Sequence, residues 1–365
     1  MKLNGKKMRT KLVLFLLVAA LVLVGTYSAG CQDVGYDCMR RRESSRLYDE
    51  YADYFAKSDE IGPGEDKLTV KFLGTNSIFI TDGQSNLMID PYFTRPNIWT
   101  LGICFAKVSP DRSIIKKTLE CAGIKRLDAI LMTHAHYDHA LDIAEVSKLI
   151  EEENANKYPK LFGSESIRMV GLGGGLSEKD IEVVTAGRRY EGGGLGRFKV
   201  TFLDAAHMTI FGSVPFSGRI KKPLTPPCRV ASYKVGKIYA ILIEHPFGKI
   251  LNLGSANYRA NSLDGIDADY LLLGIGGFDT QSAKSKNKFY EGVVVNTRPK
   301  RILFTHWDDY NIRLDKPVEW LKPLNPLGGF SCPPKSLRFF NAKNPKIRVD
   351  FLPIWEDIDL RPMGN

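Results

Sequence analysis

Apolar and polar positions alternate first at residues 68–73 (Leu-Thr-Val-Lys-Phe-Leu) and 77–81 (Ser-Ile-Phe-Ile-Thr). Both runs have the period of two of a strand with one buried face. Asp82-Gly83-Gln84-Ser85 has turn chemistry, and 86–89 (Asn-Leu-Met-Ile) resumes as a third strand that stops at Asp90-Pro91. Residues 129–132 (Ala-Ile-Leu-Met) are apolar throughout, as expected of a strand covered on both sides. Later runs at 161–163, 198–203, 230–235, 238–243, 250–253, 270–274 and 301–305 read as further strands, with 351–355 closing a sheet. Helical spacing places Leu47, Tyr51, Tyr54 and Phe55 on one face of residues 43–58, and a second helix is expected over 142–152. The glycine run 171–175 predicts a flexible loop, because neither a nucleotide-binding G-x-G-x-x-G spacing nor a following Lys-Ser/Thr pair is present. Strands and helices in alternation predict an α/β fold.

The stretch Thr133-His134-Ala135-His136-Tyr137-Asp138-His139 follows the apolar run and precedes the second helix. It concentrates three of the chain's six histidines and a carboxylate. In extended chain His134 and His136 point to one side. Asp138 and His139 come after the chain begins to turn, so two ligand pairs can serve two neighbouring metals. Imidazole nitrogen with carboxylate oxygen suits zinc.

This stretch resembles the H-x-H-x-D-H signature of the metallo-β-lactamase-fold hydrolases, and the resemblance extends over about residues 67–355. It implies a four-layer αββα sandwich with the ligands at strand ends. A first metal would sit on His134, His136 and His207, and a second on Asp138, His139 and His306. One or two zinc ions are expected, each lowering the pKa of a water to about 7, with Asp138 also acting on that water's proton. Asp90 matches an aspartate that braces the metal loop. Gly254-Ser255-Ala256-Asn257 stands where most of the superfamily has Gly-Asp, whose aspartate bridges two metals. With Ser255 the second metal is expected to bind more weakly, or the site to stay electropositive and prefer phosphorylated substrates. Asn257, Asp308, Asp279 and Asp309 are candidates to compensate from behind the ligands. Together with His306-Trp307-Asp308-Asp309, this pattern looks like the branch near ascorbate-phosphate lactonases and N-acyl-phosphatidylethanolamine phospholipase D. His245, on a turn, is excluded as a ligand.

The formal charge of +10 includes Lys2, Lys6, Lys7, Arg9 and Lys11, with no acid before residue 31. Beyond them the chain is only mildly basic, and no nucleic-acid partner is expected. Those basic residues precede an apolar run at 12–24 and then Ser28-Ala29-Gly30-Cys31. That is the layout of a secretory signal, similar to a lipoprotein signal or an uncleaved anchor. Either reading predicts an extracytoplasmic, membrane-tethered protein of the cell envelope. Six cysteines without a C-x-x-C spacing leave one or two disulfides open. The expected organisation is a signal or anchor (1–31), a helical linker (32–66), the hydrolase domain (67–356) and a C-terminal tail (357–365). Residues 93–109 and 211–227 are expected to choose the substrate, a phosphodiester, lactone or ester that is a small molecule or lipid-derived. The alternatives are a non-catalytic envelope binding protein that kept the fold, and a di-iron oxidoreductase. His136, where such oxidoreductases usually carry Glu, speaks against the latter.

Overall fold

The computed structural model describes residues 46–61, 66–97, 106–153, 158–210, 212–321 and 332–361. The predicted signal with Cys31 and Cys38, the turn at 62–65, Trp99, Cys104, Phe105 and Phe211 lie outside the described residues. Among the described residues no helix is long and apolar enough to cross a membrane.

The first half of the chain supplies β1 (Leu68–Phe72), β2 (Ile78–Thr81), β3 (Asn86–Ile89), β4 (Lys107–Val108), β5 (Ala129–Leu131), β6 (Lys160–Gly163) and β7 (Ile181–Val183). The second half supplies β8 (Arg189–Glu191), β9 (Lys199–Asp204), β10 (Cys228–Arg229), β11 (Tyr239–His245), β12 (Gly248–Leu253), β13 (Tyr270–Gly274), β14 (Arg301–Thr305), β15 (Arg348–Phe351) and β16 (Asp357–Leu360). Two seven-stranded sheets result, ordered β16-β1-β2-β3-β5-β6-β7 and β15-β14-β13-β12-β11-β9-β8. The run β3-β5-β6-β7 is parallel, and so is β12-β13-β14-β15. Burial follows the sequence pattern. β1 alternates buried and half-buried residues, whereas every residue of β5, β13 and β14 is buried.

Helices α1 (Arg46–Glu50), α2 (Arg112–Ala122), α3 (Tyr137–Ala140), α4 (Ile143–Glu153), α5 (Glu165–Gly173), α6 (Ala283–Tyr290) and α7 (Pro333–Lys343) lie between or beyond the strands. With helices outside two packed sheets, the architecture is the four-layer α/β sandwich. Trp307 joins the layers next to the site. It is fully buried, donates its indole N–H to the Leu352 carbonyl at 3.0 Å, and meets the rings of Phe55, Phe72 and Trp320.

Four expectations need correction. Residues 357–365 do not begin as a tail: β16 pairs antiparallel with Leu68, Thr69, Val70 and Lys71 along the outer edge of β1, and Ile358 and Leu360 are buried. The described part of the 32–66 linker belongs to the domain. The helix stops at Glu50, a 3-10 turn covers Ala52–Tyr54, and Phe55 then runs alongside Phe351, where Ala56 N–H bonds the Phe351 carbonyl at 2.8 Å. Residues 230–232 form a 3-10 turn instead of a strand. The glycine run ends α5 instead of forming a loop. A Cβ on Gly173 would lie 2.2 Å from the Leu224 carbonyl oxygen, and one on Gly174 would lie 2.2 Å from the Ala144 Cβ. These glycines let segments touch; their composition only suggested freedom.

Candidate metal centre

Strand β5 carries the chain out of the first sheet at Met132, and Asp90 ends the neighbouring parallel strand β3. Thr133 N–H donates to Asp90 Oδ1 at 2.8 Å, so the exit of β5 is pinned to the exit of β3. The chain stays extended through His136, then turns into α3. Extended spacing brings His134 Nε2 and His136 Nδ1 within 3.1 Å of each other. The helical turn sends Asp138 and His139 the other way.

The remaining ligands arrive from the second sheet. His207 follows β9 and His306 follows β14. The structure brings His134, His136 and His207 into one cluster, and Asp138, His139 and His306 into another. Within each cluster one possible ligand atom per residue lies within 4.8 Å of the others. Asp138 Oδ2 stands 3.6 Å from His306 Nε2 and 3.9 Å from His139 Nε2. His134 and His139 face each other across the clusters at 3.9 Å between ring centroids.

The hydrogen bonds of the rings fix which nitrogen is left over. His139 Nδ1–H donates to Asp90 Oδ2 at 2.8 Å, His136 Nε2–H to the Pro215 carbonyl at 2.9 Å, and His207 Nδ1–H to the Met208 carbonyl at 2.8 Å. His134 Nδ1–H reaches Thr133 Oγ1 at 3.0 Å, and that hydroxyl donates onward to Asp90. The lone pairs then remain on His134 Nε2, His136 Nδ1, His207 Nε2 and His139 Nε2. Metal-bound histidines are oriented in this way, by an acceptor behind the ring. His306 differs: its Nδ1 is buried without a partner, against Gly276, where a Cβ would come within 2.9 Å. The donor set therefore fits two cations, each with three nitrogen or oxygen ligands.

Electrostatics agree with uncharged imidazoles. Burial, reinforced by the other histidines, holds His134 well below its usual range. Burial brings His136 down to about 3 and His207 to about 4. His139 moves up despite its burial, because Asp90 and Asp138 face it. Burial alone would raise the Asp138 carboxyl, but His139, His306 and His136 outweigh it and keep it ionised.

Behind these ligands the backbone is strained. Thr75, Asp90, Arg95, Phe216 and His306 all have positive φ, between 41° and 54°. Non-glycine residues adopt such angles where surrounding structure over-determines them. His306 N–H bonds the Thr75 carbonyl at 2.5 Å, and Thr75 N–H bonds Asp308 Oδ1 at 2.8 Å. Asp308 is also ion-paired with the buried Arg95 at 2.7 Å. Its charge is thus met by a guanidinium, while its other oxygen holds the Thr75 turn behind His306. Asp309 receives Asn311 N–H and Asp279 receives Cys332 N–H, so neither joins the ligand clusters.

Ser255 Oγ accepts from Met208 N–H at 3.1 Å, and Asn257 Nδ2 donates to the His207 carbonyl at 2.9 Å. Both brace the backbone of the third histidine. His245 pairs with Asp82 at 3.1 Å, away from both clusters. The sequence reading missed Thr133, Asn76, Arg95 and Pro215. Asn76 Nδ2 donates to Asp90 Oδ2 at 2.8 Å from the turn between β1 and β2. No spacing marked it, because the two residues meet only in the folded sheet.

Residues 70–155 match the Metallo-beta-lactamase superfamily. A UPF0173 metal-dependent hydrolase of Thermus thermophilus is 22% identical over 253 residues, covering 67% of this chain and 85% of the relative. One from Pyrococcus horikoshii is 23% identical over 243 residues, covering 67% and 86%. Among solved structures, Igni18, a metallo hydrolase of Ignicoccus hospitalis, aligns with a TM-score of 0.50 at 14% identity. That alignment covers 81% of this chain and 99% of that one.

Proposed function

We propose that this chain, whose residues 70–155 match the Metallo-beta-lactamase superfamily, is a metal-dependent hydrolase as its relatives are named, and more narrowly a zinc enzyme of the cell envelope that cleaves a phosphodiester, lactone or ester. The observation that carries the site assignment is the left-over lone pairs. Four rings are each held from behind so that one basic nitrogen faces its cluster. His134, His136 and His207 would hold one ion, and Asp138, His139 and His306 a second. Five imidazoles and one carboxylate favour zinc. When bound, the metal would supply Lewis acidity and a readily ionised water.

The protein's own part follows from the geometry. Asp138 is ionised, largely buried beside His139 and His306, and able to accept a proton from the attacking water. That proton would pass to the leaving oxygen as the ester bond breaks. His134, His136 and His207, kept neutral, would offer lone pairs at neutral pH. Ser255 adds no negative charge where a bridging aspartate would, which favours a phosphodiester within the panel.

Two features support the envelope location. Residues 12–24 form an apolar run behind basic residues. Cys121 is disulfide-bonded, as oxidising compartments permit. The test is His136→Ala, assayed on a phosphodiester, a lactone and a carboxylic ester. Turnover of at least one substrate by the wild type should fall by more than about a hundredfold, as for loss of a metal ligand or its support. Unchanged turnover in the variant would overturn the assignment.

A further inference from the structure

The charge of this chain is unevenly placed. The first thirty residues hold five bases and no acid. Residues 205–243 hold Arg219, Lys221, Lys222, Arg229, Lys234 and Lys237, again with no acid. All other residues together carry 40 bases against 41 acids, so the domain's positive excess resides in this one segment.

That segment is a strap over the metal loop. It leaves β9 through His207, sets the Pro215 carbonyl against His136 at 2.9 Å, and folds back so that Val235 N–H bonds the Phe216 carbonyl. Ala135 N–H of the metal loop then bonds the Val235 carbonyl at 3.0 Å. Partway along, β10 pairs with β4 and places Arg229 directly opposite Lys107. Like charges opposite each other in a ladder repel, and neither residue is ion-paired among the described residues. Arg219, Lys221, Lys222, Arg229, Lys237 and Lys107 are exposed. None of the strap's basic residues forms an ion pair among the described residues. Ten arginines elsewhere do.

We propose that the strap is a docking surface for an anionic lipid bilayer, which would bring headgroup phosphates to the mouth of the centre. The substrate consequence rests on the proposed function; the docking does not. A small free anion would need convergent, buried donors, and these cations are spread over exposed positions. Val214, Pro215 and Phe216 are half-buried, Phe216 against the core, so part of their apolar surface stays accessible in the same segment as the cations, a combination that a lipid interface accommodates.

The full chain is sedimented with vesicles of phosphatidylcholine alone and of phosphatidylcholine with phosphatidylglycerol, in chelator, so that no turnover is involved. Hydrolysis can then fail while docking holds, and the reverse. The N-terminal stretch contributes equally in every variant. The wild type should prefer the anionic vesicles, less so as salt shortens the Debye length from about 10 Å at 0.1 M. Lys221→Glu/Lys222→Glu should lower that preference roughly tenfold, and Lys221→Gln/Lys222→Gln by less. Lys284→Glu/Lys288→Glu, two exposed positions on α6, should keep it, with melting temperatures unchanged in all three. Three results would overturn the proposal: equal loss in the α6 variant, an undiminished preference in the strap variants, or a strap effect confined to heparin or to competition by inorganic phosphate.

Discussion

Asp90 touches three parts of the centre at once. It accepts from His139 on the metal loop, from Thr133 at the exit of β5, and from Asn76 in the turn beyond β1. Asp90→Asn replaces an acceptor-only group by one that must present an N–H₂ to one of these donors. Metal affinity at the Asp138, His139 and His306 cluster should fall about 10- to 100-fold, read by titration against a competing chelator. Unaltered affinity would remove Asp90 from the centre. Ser255→Asp should act in the opposite sense and raise the number of ions retained after dialysis, counted by elemental analysis. Two tightly held ions in the wild type would show that the serine costs the second site nothing. Three of the histidines could be read directly, because they fall within six positions and a strand-to-helix turn is a local event. His207 and His306 could be placed only through the resemblance. Arg95 and Pro215 could not be read at all, since one acts through a partner 213 positions away and the other through a carbonyl that every residue has.

At the scale of elements, β16 is the strand whose loss is most informative. It covers the free edge of β1 over four residue pairs and buries Ile358 and Leu360. Each such side chain contributes about 1.5–3 kcal/mol, so deleting residues 357–365 should destabilise the domain by roughly 3–6 kcal/mol. Denaturant unfolding measures this, and a loss under about 1 kcal/mol would return the segment to the status of a tail. The strand was not legible because Asp357-Ile358-Asp359-Leu360 is short and half charged, a pattern that an edge strand and a tail share. By contrast β3, β13 and β14 kept the bounds read from sequence, because their apolar runs have abrupt edges: Asp90-Pro91 after β3, Gly274 at the end of β13, and Lys300-Arg301 before and Thr305-His306 after the apolar part of β14. The expected 43–58 helix was cut short by a contact far along the chain: Phe55 extends to lie beside Phe351. Periodicity records which face is buried, not what buries it.

Across the whole molecule, the metal-free protein holds several histidines in a form that water would not impose. An unfolded histidine titrates near 6.5, whereas in the folded chain His136 is brought down to about 3 and His207 to about 4, with His134 also lowered. A group with a depressed folded pKa leaves the unfolded state holding more protons, so stability rises with pH. Their contribution is therefore complete above pH 6.5 and shrinks as pH falls toward 4 and then 3. At pH 5 the unfolded chain gains about 1.5 pH units of protonation free energy per site, or about 2 kcal/mol for each of His136 and His207. His139, raised by Asp90 and Asp138, works in the opposite direction. Its contribution is present below pH 6.5 and fades as pH rises through its folded value, so it offsets part of the loss. The sum remains an acid-labile fold, with up to about 4 kcal/mol at stake against the 5–15 kcal/mol typical of a domain. Urea unfolding of the chelated protein should give a lower midpoint at pH 5 than at pH 7, and in His136→Ala the difference should narrow by about 2 kcal/mol. Equal midpoints at the two pH values would mean that the clustered imidazoles take up protons between pH 7 and 5 as readily in the folded chain as in the unfolded one. Protons taken up there on mild acidification would compete with the metal, and the lone pairs on which the site assignment depends would be lost below about pH 6.5.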